Sequence, residues 1–122
     1  KPLLVIDGAH NEDAARQLAQ TLHKTFSYEK LIVVIGMLNT HSPEDVLSHI
    51  GVGASKIIAT KSQWVKARNA NEIAESASAF CSDVEIVETV PSAVERALAA
   101  AGPNDLVLVT GSFYTIGEVP RD

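Results

Sequence analysis

The stretch Leu31-Ile32-Val33-Val34-Ile35 contains five apolar residues in succession, four of them β-branched, and no polar position. A surface helix or a half-exposed strand would interrupt such a run with polar residues. An unbroken one suits a strand buried on both faces, the situation of a parallel sheet covered by helices. Residues 56–60 and 105–110 also read as strands, and shorter runs at Leu3-Leu4-Val5-Ile6 and 84–87 add to the set. Between these runs the apolar period changes to that of a helix. Ala14, Ala15, Leu18, Ala19, Leu22 and Phe26 form one inner face, and Val46, Leu47 and Ile50 a second. Ile73, Ala74, Ala77 and Phe80 form a third, and Ala93, Val94, Ala97, Leu98 and Ala101 a fourth. Asn11, Ser42, either Asn69 or Asn71, and Pro91 or Ser92 stand where these helices should begin. Residues 115–119 read as a last strand turning back. Strand and helix alternating in this way predict a doubly wound α/β fold, mostly parallel, with helices on both faces. No linker, repeat or low-complexity stretch divides the chain, so residues 1–122 are expected to form a single domain.

Composition narrows the function. A formal net charge of −5 argues against nucleic-acid binding through a broad basic surface. No apolar run is long enough to span a membrane and no secretory leader is visible, so neither a membrane nor an export route is expected. A single cysteine, Cys81, rules out an internal disulfide and accords with a reducing cytoplasm. At a helix end with no histidine motif beside it, Cys81 reads as a small hydrophobe. Lys1 is not a methionine and strand-like sequence begins by Leu3, so the chain is expected to belong to a longer polypeptide.

If the sheet is parallel, four polar turns converge on one edge: residues 7–11, 36–42, 60 onward and 111–114. Ligands bind at that edge in open α/β sheets. Asp7, at the end of the first strand, has two readings. It accepts hydrogen bonds from a ribose or holds a metal-bound water, or it receives the N–H groups of its own turn. Gly8 permits a tight turn or close approach of a ligand. His10 is placed to hydrogen-bond a phosphate, and Asn11 is first a helix cap. Ser112, after a glycine at a strand end, either binds a carboxylate through its hydroxyl and local N–H groups or is a turn serine. His41 lies in a loop and suits anion binding or solvation. Lys61, Lys66 and Arg68 form a small basic cluster of the kind that is more often solvated. No two histidines have metal-site spacing.

The chain lacks a Gly-Lys-Ser/Thr phosphate loop, a Gly-x-Gly-x-x-Gly turn and a Gly-x-Ser-x-Gly elbow. Thr60 stands where a receiver domain would carry an aspartate. A site edge is present without a complete catalytic set.

Asp7-Gly8-Ala9-His10-Asn11, taken with Thr110-Gly111-Ser112-Phe113-Tyr114-Thr115-Ile116-Gly117-Glu118-Val119, resembles the C-terminal domain of the folylpolyglutamate synthase/dihydrofolate synthases, members of the Mur ligase superfamily. Gly36-Met37-Leu38 matches as well, and the resemblance covers essentially the whole chain. It implies a Rossmann-like sheet of six strands, one an antiparallel edge strand, and an ATP-binding domain upstream that carries the phosphate loop. The activity implied is ATP-dependent amide ligation: a pteroate or folate carboxylate is phosphorylated and the amine of L-glutamate displaces the phosphate. ATP and Mg2+ are the implied cofactors, the metal being held mainly by the upstream domain. By the same resemblance Asp7, Gly8 and Asn11 contact the nucleotide and His10 lies near its terminal phosphate. Ser112 and His41 lie at the incoming glutamate. His41 occupies a place where many relatives carry a lysine, and whether glutamate is added once or repeatedly stays open.

A cytoplasmic monomer, inactive without the upstream domain, is the expectation. Two alternatives remain at this level: a stand-alone, non-catalytic nucleotide-sensing or interaction module, and the C-terminal domain of a peptidoglycan Mur ligase.

Overall fold

The computed structural model describes residues 1–120. Its elements in chain order are β1 (Leu3–Ile6), α1 (Glu12–Thr25), β2 (Leu31–Ile35), α2 (Pro43–Ile50), β3 (Lys56–Ala59), α3 (Ala70–Ala77), β4 (Val84–Ile86), α4 (Val90–Ala100), β5 (Leu106–Thr110) and α5 (Phe113–Gly117), with one 3-10 turn at Gly51–Gly53. The five strands form one sheet in the order β1-β5-β2-β3-β4, and every pair is parallel. The chain steps from β1 through β2 and β3 to β4 in one direction, then returns to insert β5 between β1 and β2. A right-handed crossover puts its helix on one face when the chain steps one way and on the other face when it steps back. Thus α1, α2 and α3 pack on one side around Leu18, Leu22, Leu47, Ile73 and the inward strand residues Val33, Ile35, Ile57 and Leu108. Helix α4 packs on the strands' other face, against Ile32, Val34, Ile58, Val107 and Val109, with Ile116 of α5 and Val119 beside it. Strands β2 and β5 are buried at every position, as their unbroken apolar sequences require.

The helix starts follow their capping residues. Asn11 Oδ1 accepts from Ala14 N–H at 2.9 Å, and Glu12 and Asp13 set negative charge in the first turn of α1. Asn69, not Asn71, caps α3. Thr89 caps α4, one turn edge earlier than Pro91 or Ser92, because its hydroxyl accepts from Ser92 N–H. Ser42 precedes α2 but its hydroxyl donates to Glu44 instead of receiving a backbone N–H. At the amino edge Asp105, 7% exposed, accepts from Lys30 N–H and Gly102 N–H and ties the approaches to β2 and β5 together.

One expectation fails. The sheet has five parallel strands, not six with an antiparallel edge, and residues 115–119 do not turn back as a strand. They lie in and after α5, which Ser112 caps by accepting from Thr115 N–H at 3.0 Å. The β-branched residues Thr115, Ile116 and Val119 suggested a strand, but Thr115 and Val119 are spaced one helical turn apart, and both are buried beneath the turn.

The ends of β2 and β5 approach each other more closely than side chains permit. Gly111 has φ +114°, and a Cβ there would lie 2.1 Å from Gly36 O; a Cβ on Gly36 would lie 2.6 Å from Thr115 Oγ1. Gly111→Ala is therefore expected to destabilise the fold by at least ~2 kcal/mol, through backbone strain and displacement of the β2 end together. Urea unfolding of the variant beside the wild type measures this.

An ion-pair group at the β4 edge anchors the returning helix. Lys56 Nζ lies 3.2 Å from Asp83 and 2.9 Å from Glu85, and Arg96 Nε of α4 lies 2.9 Å from Glu85. The hydrogen bond from Arg96, then that from Lys56, holds the Glu85 carboxyl below the usual carboxylate range. A depressed carboxyl contributes stability above its unfolded value, and that contribution disappears as pH falls through the folded value. The stability advantage of wild type over Glu85→Gln should therefore be present at neutral pH. It should vanish as the medium is acidified below the ordinary value of 4.5, read from urea midpoints at a series of pH values. The groups are partly solvated, so the advantage is small and shrinks with salt.

Candidate active-site edge

The loops after β1, β5 and β2 lie side by side because those three strands are neighbours and parallel. Asp7 N–H donates to Val109 O at 3.0 Å, Gly36 N–H donates to Thr110 O at 3.3 Å, and Thr110 Oγ1 donates to Ala9 O at 3.4 Å. The expected convergence of polar turns is thus realised at the carboxyl edge. The turn carrying Asp7 and the turn carrying Ser112 occupy adjacent strand ends on the same rim.

Each candidate residue has a local structural duty. Asp7 is exposed, and its Oδ1 accepts from Ala9 N–H at 3.0 Å, closing a tight turn. Among the described residues its second oxygen takes no hydrogen bond. Gly8 makes room for an aromatic ring: a Cβ there would lie 2.9 Å from two carbons of Phe113. His10 is half-buried and its Nδ1 lies 3.0 Å from Gly8 O. A carbonyl only accepts, so Nδ1 carries the proton, and Nε2 can donate to an anion only when the ring is protonated. Asn11 caps α1, leaving its amide nitrogen exposed.

Ser112 is 3% exposed. Besides capping α5 it donates to Thr115 Oγ1 at 2.9 Å, and Thr115 Oγ1 donates in turn to Gly36 O at 2.9 Å. This hydroxyl relay joins the β5 turn to the β2 turn. His41 comes within reach of the same place: its ring centroid lies 4.7 Å from that of His10, with planes inclined at 56°. Phe113 meets His10 edge-on at 5.9 Å. His10, Leu38, His41, Ser112, Phe113 and Tyr114 surround a cavity of about 110 Å³. It brings together His10, His41 and Ser112, residues taken from three different turns. Asp7, Gly8 and Asn11 lie beside it and do not line it.

A larger cleft of about 380 Å³ opens on the opposite rim, between α1, α2 and the start of β2. It is lined mainly by apolar groups, and none of the candidate residues reaches it. Size alone would favour it, but the convergence of imidazoles, a buried hydroxyl and a strand-end carboxylate favours the carboxyl edge.

The basic cluster disperses. Lys61 and Lys66 are exposed, whereas Arg68 turns inward, pairs with Glu72 at 2.9 Å and contacts the loop that carries His41. Trp64 stacks flat on Tyr114, with centroids 4.8 Å apart and planes 1° from parallel. Local sequence gave no signal for the contact of Arg68 with the His41 loop or for the Trp64–Tyr114 stack, since both join segments distant along the chain. Cys81 lies past the end of α3, half-buried with its thiol 3.5 Å from Ala54 O, and packs against the core as a small hydrophobe does. Among the described residues no three His, Cys, Asp or Glu side chains converge to hold a metal, and no helix is long and apolar enough to cross a membrane.

The fold and edge define a class: a doubly wound α/β domain whose polar turns meet at the parallel strand ends, one strand on either side of the inserted β5. Residues 1–113 match the family model described as Mur ligase, glutamate ligase domain, and the chain belongs to that family. It is 33% identical over 120 residues to a probable bifunctional folylpolyglutamate synthase/dihydropteroate synthase of Haloferax volcanii, covering 97% of this chain and 14% of that protein. The fold matches the folylpolyglutamate synthase of Mycobacterium tuberculosis complexed with ADP and AMPPCP at a TM-score of 0.86 and 26% identity, covering 93% of this chain and 28% of that one. It matches a Yersinia pestis folylpolyglutamate synthase/dihydrofolate synthase complexed with AMPPNP and a Mn ion at 0.79 and 28% identity, over 94% and 27% of the two chains. This chain therefore spans less than a third of the length of each of these relatives.

Ser112 carries both the α5 cap and the relay to Gly36. Ser112→Ala should cost about 1–2 kcal/mol, as expected for a lost cap that leaves the buried Thr115 N–H without its acceptor. Denaturant unfolding checks this, and any kinetic effect of the same variant has to be read after that correction.

Proposed function

We propose that this chain is the C-terminal domain of an ATP-dependent acid–amino-acid ligase that adds L-glutamate to dihydropteroate or folate. The observation that carries the reading is the adjacency of the Asp7 and Ser112 turns on neighbouring strands, with the rings of His10 and His41 packed against each other on the wall of the cavity at that edge. The family membership and the names of the relatives support it. They favour it over a stand-alone sensing module, and over a peptidoglycan ligase of the same superfamily.

The free oxygen of Asp7 suits a nucleotide hydroxyl, and Gly8 and Asn11 shape the turn that presents it. Once protonated, His10 donates through Nε2 to a terminal phosphate oxygen while Gly8 O holds the ring in place. Ser112 and His41 are assigned to the incoming glutamate. Bound ATP supplies the phosphoryl group that activates the substrate carboxylate, and phosphoryl transfer asks the protein mainly for positioning and charge stabilisation. Among the described residues no set of side chains fits a metal cage, so a divalent cation such as Mg2+ would be held mainly by the upstream domain.

A cavity of about 110 Å³ is too small for a nucleotide and a folate together. It suits one wall of a cleft whose other wall is an upstream ATP-binding domain of the same polypeptide. Closure of such a cleft excludes water from the activated carboxylate. The reading places the enzyme in the cytoplasm, acting as a monomer on small molecules.

In the full-length enzyme, Asp7→Ala and His10→Ala should each lower ATP-dependent glutamate ligation by at least about tenfold, a barrier increase of ~1.4 kcal/mol. Their thermal midpoints should stay near that of the wild type. Turnover at the wild-type rate in both variants would falsify these roles. Residues 1–122 alone should ligate nothing.

A further inference from the structure

The loop after β2 carries His41, and Asn39 and Thr40 at its tip are exposed to solvent. Its inner half is tied to the segment between β3 and α3. Asn39 N–H donates to Lys66 O at 2.9 Å, Arg68 N–H donates to Met37 O at 2.7 Å, and Leu38 bridges Ala67 in antiparallel fashion. Its outer half is gripped by one side chain. Arg68 Nη2 donates to Asn39 O at 2.8 Å and to His41 O at 2.7 Å, while Nη1 holds Glu72 at 2.9 Å. The gripping segment is itself fixed to the far wall of the cavity, because Trp64 stacks on Tyr114 and Gln63 N–H donates to Glu118 at 2.7 Å. Residues 63–68 therefore form a strap from α5 to the His41 loop.

The guanidinium does not sit there for stability alone. Its Nε is buried and takes no partner among the described residues, an arrangement that costs free energy. An apolar side chain of similar length would avoid that cost but could not hold two carbonyl groups. A lysine reaches as far without the planar fork. What Arg68 adds is a fixed path for the backbone at residues 39–41, and with it the place of the His41 ring beside His10.

We infer that Arg68 is a positioning residue of the ligand edge, holding His41 against His10 through the carbonyl groups of Asn39 and His41. The assignment of His41 to glutamate rests on the function proposed above; the positioning itself does not.

The test uses the full-length enzyme with Arg68→Met and Arg68→Lys. Carbethoxylation by diethyl pyrocarbonate, followed by mass spectrometry, reads the reactivity of the His41 ring without substrate, with His23 on α1 as the internal reference. Arg68→Met should change the His41 rate at least about threefold and leave His23 unaltered, with Arg68→Lys between the two. The KM for glutamate should rise at least about fivefold in Arg68→Met with kcat nearly constant, and Arg68→Met should add nothing in a His41→Ala background. Should Arg68→Met fail to fold, the lysine variant carries the same comparison. An unchanged His41 rate in folded protein overturns the inference whatever the kinetics do. A changed rate with an unaltered glutamate KM upholds the positioning and defeats instead the assignment of His41 to glutamate.

Discussion

The contact between Gly36 and Gly111 is the constraint on which the site edge depends. These residues end β2 and β5, and neither tolerates a side chain: one Cβ would fall 2.1 Å from a carbonyl oxygen, the other 2.6 Å from the Thr115 hydroxyl. Their approach lets Thr115 Oγ1 reach Gly36 O and close the relay that begins at Ser112. Sheet pairing places the strands side by side, but only the missing side chains let the turns beyond them touch. Three strand-end turns that would otherwise splay apart share one small cavity.

The residues of the edge are committed twice. Asp7 closes its own turn with one oxygen, Asn11 caps α1, Ser112 caps α5, and His10 holds Gly8 O through Nδ1. Such bonds restrict rotamers before any ligand arrives, so the groups left over are presented in fixed directions. Preorganised donors and acceptors of this kind are what charge-stabilising sites require. The same economy makes kinetic variants hard to interpret, since removing Ser112 disturbs the fold and the edge together. Asp7 and His10, whose local bonds lie in a solvent-facing turn, separate the two effects better.

Much of the architecture was legible along the chain. The unbroken apolar run of β2 identified a strand buried on both faces, because polar residues cannot be placed on either face of such a strand. Asn11 marked one helix start by its side-chain acceptor, and Asn69 or Asn71 marked another, of which the structure uses Asn69. The misreading at 115–119 came from β-branched residues whose local preference is for strands. Ser112 and the packing of Thr115 and Val119 under the turn outweigh that preference. The motif 7–11 pointed to the rim where the strand-end turns converge, and the resemblance named the family to which the chain belongs. Arg68 and Trp64 could not be found in this way, since their partners lie 27 and 50 residues away in sequence (Arg68 to His41, Trp64 to Tyr114).

The sequence by itself determined which segments become strands and helices up to the end of β5, where most helices begin, and that Asp7 and Ser112 stand at strand ends. Periodicity, capping and glycine placement are local properties, and a chain carries them before it folds. Tertiary structure alone decided that β5 inserts between β1 and β2, that His10 meets His41, and that Arg68 governs the loop between them. Those relations depend on which surfaces meet once apolar faces on both sides of the sheet are buried together, and no neighbouring residues encode that.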